Sequence, residues 1–252
     1  MNLQLFLGEM FGTATLILIG NGVVSNVLYK KTGGSKGGII AIAVGWGLAV
    51  LMGIIVAQKI GDGHGHPGWA ELNPAVSMAN AVIGAHGAGA VGVGAFFGAI
   101  GAQSVGAIIG QGCVTVMYWH AAASEEADTI KSTFTTSSIV PKKPITNIFT
   151  EFLGTTVLVF AVIALFVIGP KHGGSIKPLV GGAMVALVVT GIGLSFGMTG
   201  WAINPVRDLI PRIMYQFTPY KNKTKANWSY ALIPVLAPMA AGAMVGAIAL
   251  AF

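Results

Sequence analysis

The sequence predicts an all-α membrane protein, with six transmembrane helices and two re-entrant half-helices arranged as an inverted repeat. Three observations carry that reading. Only 9% of the 252 residues are charged and 54% are hydrophobic, whereas soluble domains carry about 25% charged residues. Six apolar segments are each long enough to supply the roughly 20 residues that cross about 30 Å of hydrocarbon. Two further apolar segments of about ten residues follow Asn-Pro pairs, and these are too short to span.

In chain order, the first span is predicted near residues 4–28 and the second near 38–60. A short segment follows Pro74, and the third span lies near 88–118. The N-terminus lacks a basic region and its apolar run is too long for a cleaved signal, so it reads as the first span. The stretch 121–145, "AAASEEADTIKSTFTTSSIVPKKPI", is the longest polar break and reads as a connecting loop. Spans near 146–169 and 178–198 follow, then a short segment after Pro205 and a last span near 229–252.

The chain is therefore one domain with a first repeat over 1–120 and a second over 146–252. "EMFGTATL" from Glu9 matches "EFLGTTVL" from Glu151 at four of eight positions. "GWAELNP" from Gly68 matches "GWAINP" from Gly200 with one extra residue. With three spans per half, the second half enters the membrane from the opposite side. Interrupted segments in corresponding places then point to a site at the midplane.

Glycine is abundant, at 37 residues. Gly8 and Gly12, Gly94 and Gly98, Gly106 and Gly110, Gly193 and Gly197, and Gly242 and Gly246 share the spacing that lets helices approach closely in lipid. The single cysteine, Cys113, excludes an intrachain disulfide. The net charge of +6 comes from lysines that cap apolar spans and form no continuous basic face, which argues against nucleic-acid binding. No nucleophile–base pair or metal-ligand set stands out, so an enzyme and a cofactor are not expected. Asn222-Lys-Thr224 and Asn227-Trp-Ser229 match the glycosylation sequon, a pattern common by chance.

The two Asn-Pro pairs carry the chemistry. Asn is a strong helix N-cap and Pro suits the first helical position. Asn73-Pro74 and Asn204-Pro205 thus read as two half-helix starts, brought together from opposite faces by the inversion. Each helix N-terminus carries about half a positive charge, which repels cations. The Asn amides can donate to a neutral solute, and the irregular backbone before them can accept. Such backbone is tolerated at that depth only where it lines a cavity or is buried in protein. Arg207 lies three residues after Asn204, on the same side of the first turn. An intramembrane arginine generally faces a cavity; pairing with a buried carboxylate is the other reading.

On "NPAV" at 73–76, "NPVRD" at 204–208, Glu9, Glu151 and "VGWGLAV" at 44–50, nearly the whole chain resembles the major intrinsic proteins, the aquaporins and aquaglyceroporins. The resemblance implies a channel, with a selectivity filter formed by Trp46, Gly193, Trp201 and Arg207. Gly191 is an alternative to Gly193, Trp46 could instead be a membrane-interface residue, and Trp201 a packing residue. Asp208 after the arginine, placed to pair with Arg212 one turn on, resembles the glycerol-conducting branch. Two aromatic walls, a glycine and an arginine make a slot suited to a carbon backbone bearing hydroxyls. Val206 departs from the family pattern, which has alanine there. The resemblance also implies a homotetramer in the cell membrane, in contact with lipid, with both termini cytoplasmic.

That orientation puts Lys30, Lys31, Lys36, Lys131, Lys142, Lys143, Lys221, Lys223 and Lys225 outside, and Lys59, Lys171 and Lys177 inside, the reverse of the usual charge bias. Glu9 and Glu151 read as structural acceptors for the N–H groups of the loop in their own half; proton coupling is the other reading. Glu71 is the extra residue beside the first motif, either adding a carboxylate to the approach or pairing locally. His64 and His66 offer a pH or metal gate, or a solvated loop. The function expected is passive passage of glycerol and related small neutral solutes, with some water. A pore mainly for water or for protonated lactic acid, and a coupled transporter using Glu9 or Glu151, are the alternatives.

Overall fold

A computed structural model describes residues 1–61, 70–87, 89–169 and 178–252, and every regular element among them is a helix. The elements are α1 (Leu3–Leu28), α2 (Gly38–Gly61), α3 (Pro74–Val82), α4 (Gly89–Ala122), α5 (Ala127–Ser132) and α6 (Pro144–Ile163), which ends in a π turn (Ala164–Ile168). They continue with α7 (Pro178–Ser195), α8 (Pro205–Phe217), α9 (Trp228–Ala231) and α10 (Ile233–Ala249). Five helical stretches are long and apolar enough to cross a membrane: Leu3–Leu28, Gly38–Gly61, Gly89–Ala122, Pro144–Ile168 and Trp228–Ala249. Among the described residues the apolar run Leu179–Ser195 in α7 is shorter than these five.

The halves are built alike. In the first, α1 packs on α2 and α4; in the second, α6 packs on α7 and α10. The half-helices tie the halves together, because α3 packs against α10 and α6, and α8 packs against α4. At 9 and 13 residues, α3 and α8 rise about 14 and 20 Å, well short of a span.

Glycine permits these contacts at three of the five predicted pairs. A Cβ on Gly8 or Gly12 would strike α2 at Ala57 or Gly53, and one on Gly106 or Gly110 would strike the α1 backbone. One on Gly242 or Gly246 would strike the α3 backbone at Ala75 or Ala79. Gly94 and Gly197 face open space, so those two pairs are not helix-contact motifs.

Two boundaries move. The third span continues past 118 to Ala122, because Tyr118–Ala122 are helix-compatible and pack beneath the polar segment. The fifth ends at Ser195 rather than 198, ahead of a turn at 197–200 closed by Gly200 at φ 71°. The 121–145 segment is more than a connecting loop. It contains α5, and its Ile130 and Phe134 are buried with Tyr29, Tyr215 and Tyr220.

Candidate functional site

The two half-helices meet through their caps. Asn73 and Asn204 are extended residues whose Oδ1 atoms accept from the first helical N–H groups: Ala75 N at 2.9 Å, and Val206 N and Arg207 N at 3.1 and 3.2 Å. Pro74 and Pro205 stand at the first helical position, where a missing N–H costs nothing. Each Asn amide then crosses to the other half. Asn73 Nδ2 donates to Ile203 O and Asn204 Nδ2 to Leu72 O, both at 2.8 Å. One hydrogen of each NH₂ is thus committed to the protein, and the second remains for a solute. The accepting residues, Leu72 (φ 54°) and Ile203 (φ 42°), lie in the left-handed region, a strained conformation for a β-branched residue such as Ile203.

Two buried carboxylates hold that strained backbone. Glu9 accepts from Glu71 N at 2.7 Å and Leu72 N at 2.9 Å, and also from Gln103 Nε2 at 2.8 Å. Glu151 accepts from Ala202 N at 3.0 Å and Ile203 N at 2.8 Å. Each carboxylate serves the loop of its own half, satisfying N–H groups that a non-helical segment at this depth would leave unpaired.

A cavity of about 40 Å³ lies on one side of the asparagines, with Trp46, Trp201, Arg207, Asn73 and Asn204 in its wall. A second, of about 90 Å³, lies on the other side and shares Asn73, Asn204, Leu16 and Val50. The shared walls make the two cavities successive parts of one path. In the first, the Arg207 guanidinium lies 4.3 Å from the centre of the Trp46 ring, a cation–π contact of about 0.5–2 kcal/mol. Arg207 is buried, yet its guanidinium makes no hydrogen bond to the described residues. The indole N–H groups of Trp46 and Trp201 also lack partners there. Gly193 is not in that wall. It sits beside Trp201, where an added Cβ would come within 3.2 Å of Cε2, whereas Gly191 faces open space.

Arg212 is the opposite of Arg207. It is fully buried and binds both oxygens of Asp208 at 2.8 and 2.9 Å, together with the carbonyls of Ala226, Asn227 and Thr136. Asp208 also accepts from Thr136 N and Oγ1 at 2.7 and 2.6 Å. The acid after Arg207 therefore anchors α8 to the polar segment and makes no hydrogen bond to that arginine. Val206 is buried in the central apolar cluster with Leu16, Trp46 and Ile203.

Glu71 pairs locally as well as lining the larger cavity. Its Oε1 takes Asn80 Nδ2 at 2.6 Å and lies 2.7 Å from His86 Nε2. His64 and His66 lie outside the described residues. Sequence reasoning missed three contributors. Gly20 is the seat of Trp46, since a Cβ there would overlap the ring; a small residue in α1 was a signal without an address. Thr136 reaches Asp208 from 72 positions away. Asn21 Nδ2 donates to Gln111 Oε1 at 2.6 Å, clamping α1 to α4.

Comparison with known proteins agrees with this geometry. Residues 1–250 match the family model described as major intrinsic protein. The chain is 39% identical over 239 residues to the glycerol uptake facilitator protein of Streptococcus pneumoniae, covering 94% of each. It is 36% identical over 243 residues to the glycerol uptake facilitator protein of Bacillus subtilis, covering 96% of this chain and 82% of that one. The aquaglyceroporin of Plasmodium falciparum shares the fold at a TM-score of 0.79 and 28% identity, over 97% of this chain and 94% of that one.

Proposed function

The chain belongs to the major intrinsic protein family, and from that membership we infer that it is a passive membrane channel for glycerol and related small neutral solutes, with some water. The observation that carries the reading is the pairing of a donor without a protein partner and apolar walls. Arg207 is stacked on Trp46 in a cavity that also holds Trp201. A polyol crossing this point sets its carbons against the indoles and its hydroxyls against the guanidinium, replacing water bonds that a dry apolar slot would leave unmade. Gly193 lets α7 pack closely against Ala43 of α2 and the edge of the Trp201 ring. Asn73 and Asn204 form the next donor pair, at the midplane, each with one N–H remaining.

Ion and proton exclusion is supported by the same parts. A cation meets the charge of Arg207 and two facing helix N-termini, each worth about half a positive charge. Glu9 and Glu151 bind loop N–H groups with both oxygens, which supports a structural role over proton coupling. By analogy with the family, the channel is a homotetramer in the cell membrane with cytoplasmic termini.

Stopped-flow light scattering on proteoliposomes tests the proposal. Glycerol shrinkage–reswelling should run well above that of empty vesicles, and Trp201→His should shift the preference toward water. Glycerol flux equal to that of empty vesicles defeats the reading. Uphill accumulation driven by a proton gradient would establish a transporter instead, and a panel with water, urea, dihydroxyacetone and lactic acid ranks the solutes.

A further inference from the structure

Three aromatic rings stand in the walls of the two cavities: Trp46 and Trp201 on the Arg207 side, and Phe166 on the other. Each lies against a glycine. Gly20 seats Trp46 and Gly193 lies beside Trp201, while a Cβ on Gly181 would come within 2.5 Å of Phe166 Cζ and 2.6 Å of its Cε1. The first two rings belong to the slot beside Arg207. Phe166 does not.

Its level along the path follows from helix spacing. Val50 of α2, Leu158 of α6 and Val189 of α7 line both cavities, so they sit level with the asparagines. Gln58, Phe166 and Gly181 each lie eight residues from one of these on the same helix, about 12 Å away at 1.5 Å per residue. Gln58 and Phe166 line only the larger cavity. On α7 the cavity-facing side chains run Val189, Val185 and then glycine. The Phe166 ring occupies the place where the next α7 side chain would stand.

That ring is half-buried, lines the cavity and packs on the central apolar cluster. The backbone beneath it departs from a plain helix. Phe166 falls in the π turn Ala164–Ile168, and both Phe166 and Val167 line the cavity. Successive residues of an α-helix point about 100° apart, whereas the wider turn presents two neighbours to one wall. Single π turns within helices recur at functional sites.

We propose that Phe166, seated on Gly181, is a second size-selecting constriction, beyond the asparagines and in series with the slot beside Arg207. The inference rests on the polyol-channel reading and extends it. A solute with a carbon backbone meets the ring more closely than water does. Barriers in series add as resistances, so raising one slows flux steeply and removing one raises it modestly.

The test measures glycerol and water permeability in proteoliposomes carrying the native protein, Gly181→Ala, Phe166→Ala or both changes together. The added Cβ points along the cavity-facing stripe and drives the ring off its seat toward the lumen. A methyl forced into a packed contact should lower the glycerol-to-water ratio at least about fivefold in Gly181→Ala. The ratio should rise in Phe166→Ala. The double variant should recover at least the native ratio, because the methyl then has no ring to displace. An unchanged ratio in both single variants, with glycerol flux intact, overturns the constriction and leaves the channel reading standing. A double variant as slow for glycerol as Gly181→Ala also overturns it, since the methyl would then act through helix packing. Glycerol and water slowing in step would likewise reduce the pair to a packing role. If Phe166→Ala yields no folded protein, Phe166→Leu takes its place in each arm. Native protein no faster than empty vesicles removes the channel reading and this inference together.

Discussion

Replacing Glu151 with glutamine is the sharpest probe of how the pore backbone is held. The carboxylate accepts Ala202 N and Ile203 N with one oxygen each, at 3.0 and 2.8 Å. Glutamine keeps one acceptor and turns an NH₂ toward the other N–H. That N–H is left buried and unsatisfied, at a cost of about 1–3 kcal/mol. The surviving bond changes from charge-assisted to neutral and loses about 1 kcal/mol more. The loop also carries Trp201 at φ 36° and Ile203 at φ 42°. Such conformations cost about 1–3 kcal/mol each and persist only while their surroundings impose them. We therefore expect a loss of about 2–4 kcal/mol in the stability of the loop. The thermal midpoint in detergent should fall by several degrees, and glycerol flux should drop more than about tenfold as the Ile203 carbonyl and Asn73 lose register. The variant is to be examined by thermal unfolding and by stopped-flow glycerol uptake with and without a pH gradient. Native stability combined with flux that loses only its pH dependence would refute the reasoning, because that is the signature of a coupling carboxylate.

Arg207→Ala should lower glycerol flux by more than about tenfold, through loss of charge-assisted bonds worth about 1.5–3 kcal/mol each. It should also admit cations to liposomes loaded with an ion-sensitive dye; a background signal in that assay would remove Arg207 from the cation barrier. Gly20→Ala places a methyl where the Trp46 ring lies. Glycerol uptake should fall while the protein still purifies as a folded species, and unaltered uptake would show that Trp46 can shift freely. Arg212→Met leaves Asp208 buried with Thr136 as its remaining donor. Stability should fall by about 3–5 kcal/mol, and a thermal midpoint within a degree of native would contradict the anchoring role.

The spans were legible because lipid imposes a single rule on them: long apolar runs with polar breaks. Those breaks fall within a few residues of the observed helix ends. The caps were legible for a local reason, since Asn followed by Pro specifies a helix start whatever surrounds it. The placement of Arg207 beside Asn204 follows from helical spacing alone. What the sequence hid is long-range. Nothing in it says that Asn73 reaches Ile203, 130 positions on, or that each half-helix packs against the last span of the other repeat. The Thr136 contact to Asp208 was hidden because 121–145 has the composition of a loop, and composition does not reveal a buried hydroxyl. The glycine pairs show the limit of a motif. Five share one spacing, but in only three do both glycines meet a neighbouring helix, because spacing sets a face and the neighbouring element decides whether that face is used.

Donor and acceptor capacity separates structure from function along this pore. Arg212, Asp208, Glu9 and Glu151 are bound to the protein through their charged groups, and each holds backbone or a half-helix in place. Among the residues that line the two cavities, the groups with capacity left over are Arg207, the Trp46 and Trp201 indoles, one N–H on each of Asn73 and Asn204, Gln58, and one oxygen of Glu71, while Thr13, Gln103, Gln111, Glu125 and Thr199 also hold a buried atom without a partner among the described residues and lie outside those walls. On the Arg207 side every side-chain group with spare capacity is a donor and the fixed charge is positive. A dehydrated cation finds no free carboxylate there, because Asp208 and Glu151 are bound elsewhere, and the loss of its water is uncompensated. An anion would find donors at Arg207 but must then enter the cavity lined by Glu71, where like charge opposes it. A neutral solute with hydroxyls both donates and accepts, so it alone is matched on each side of the asparagines.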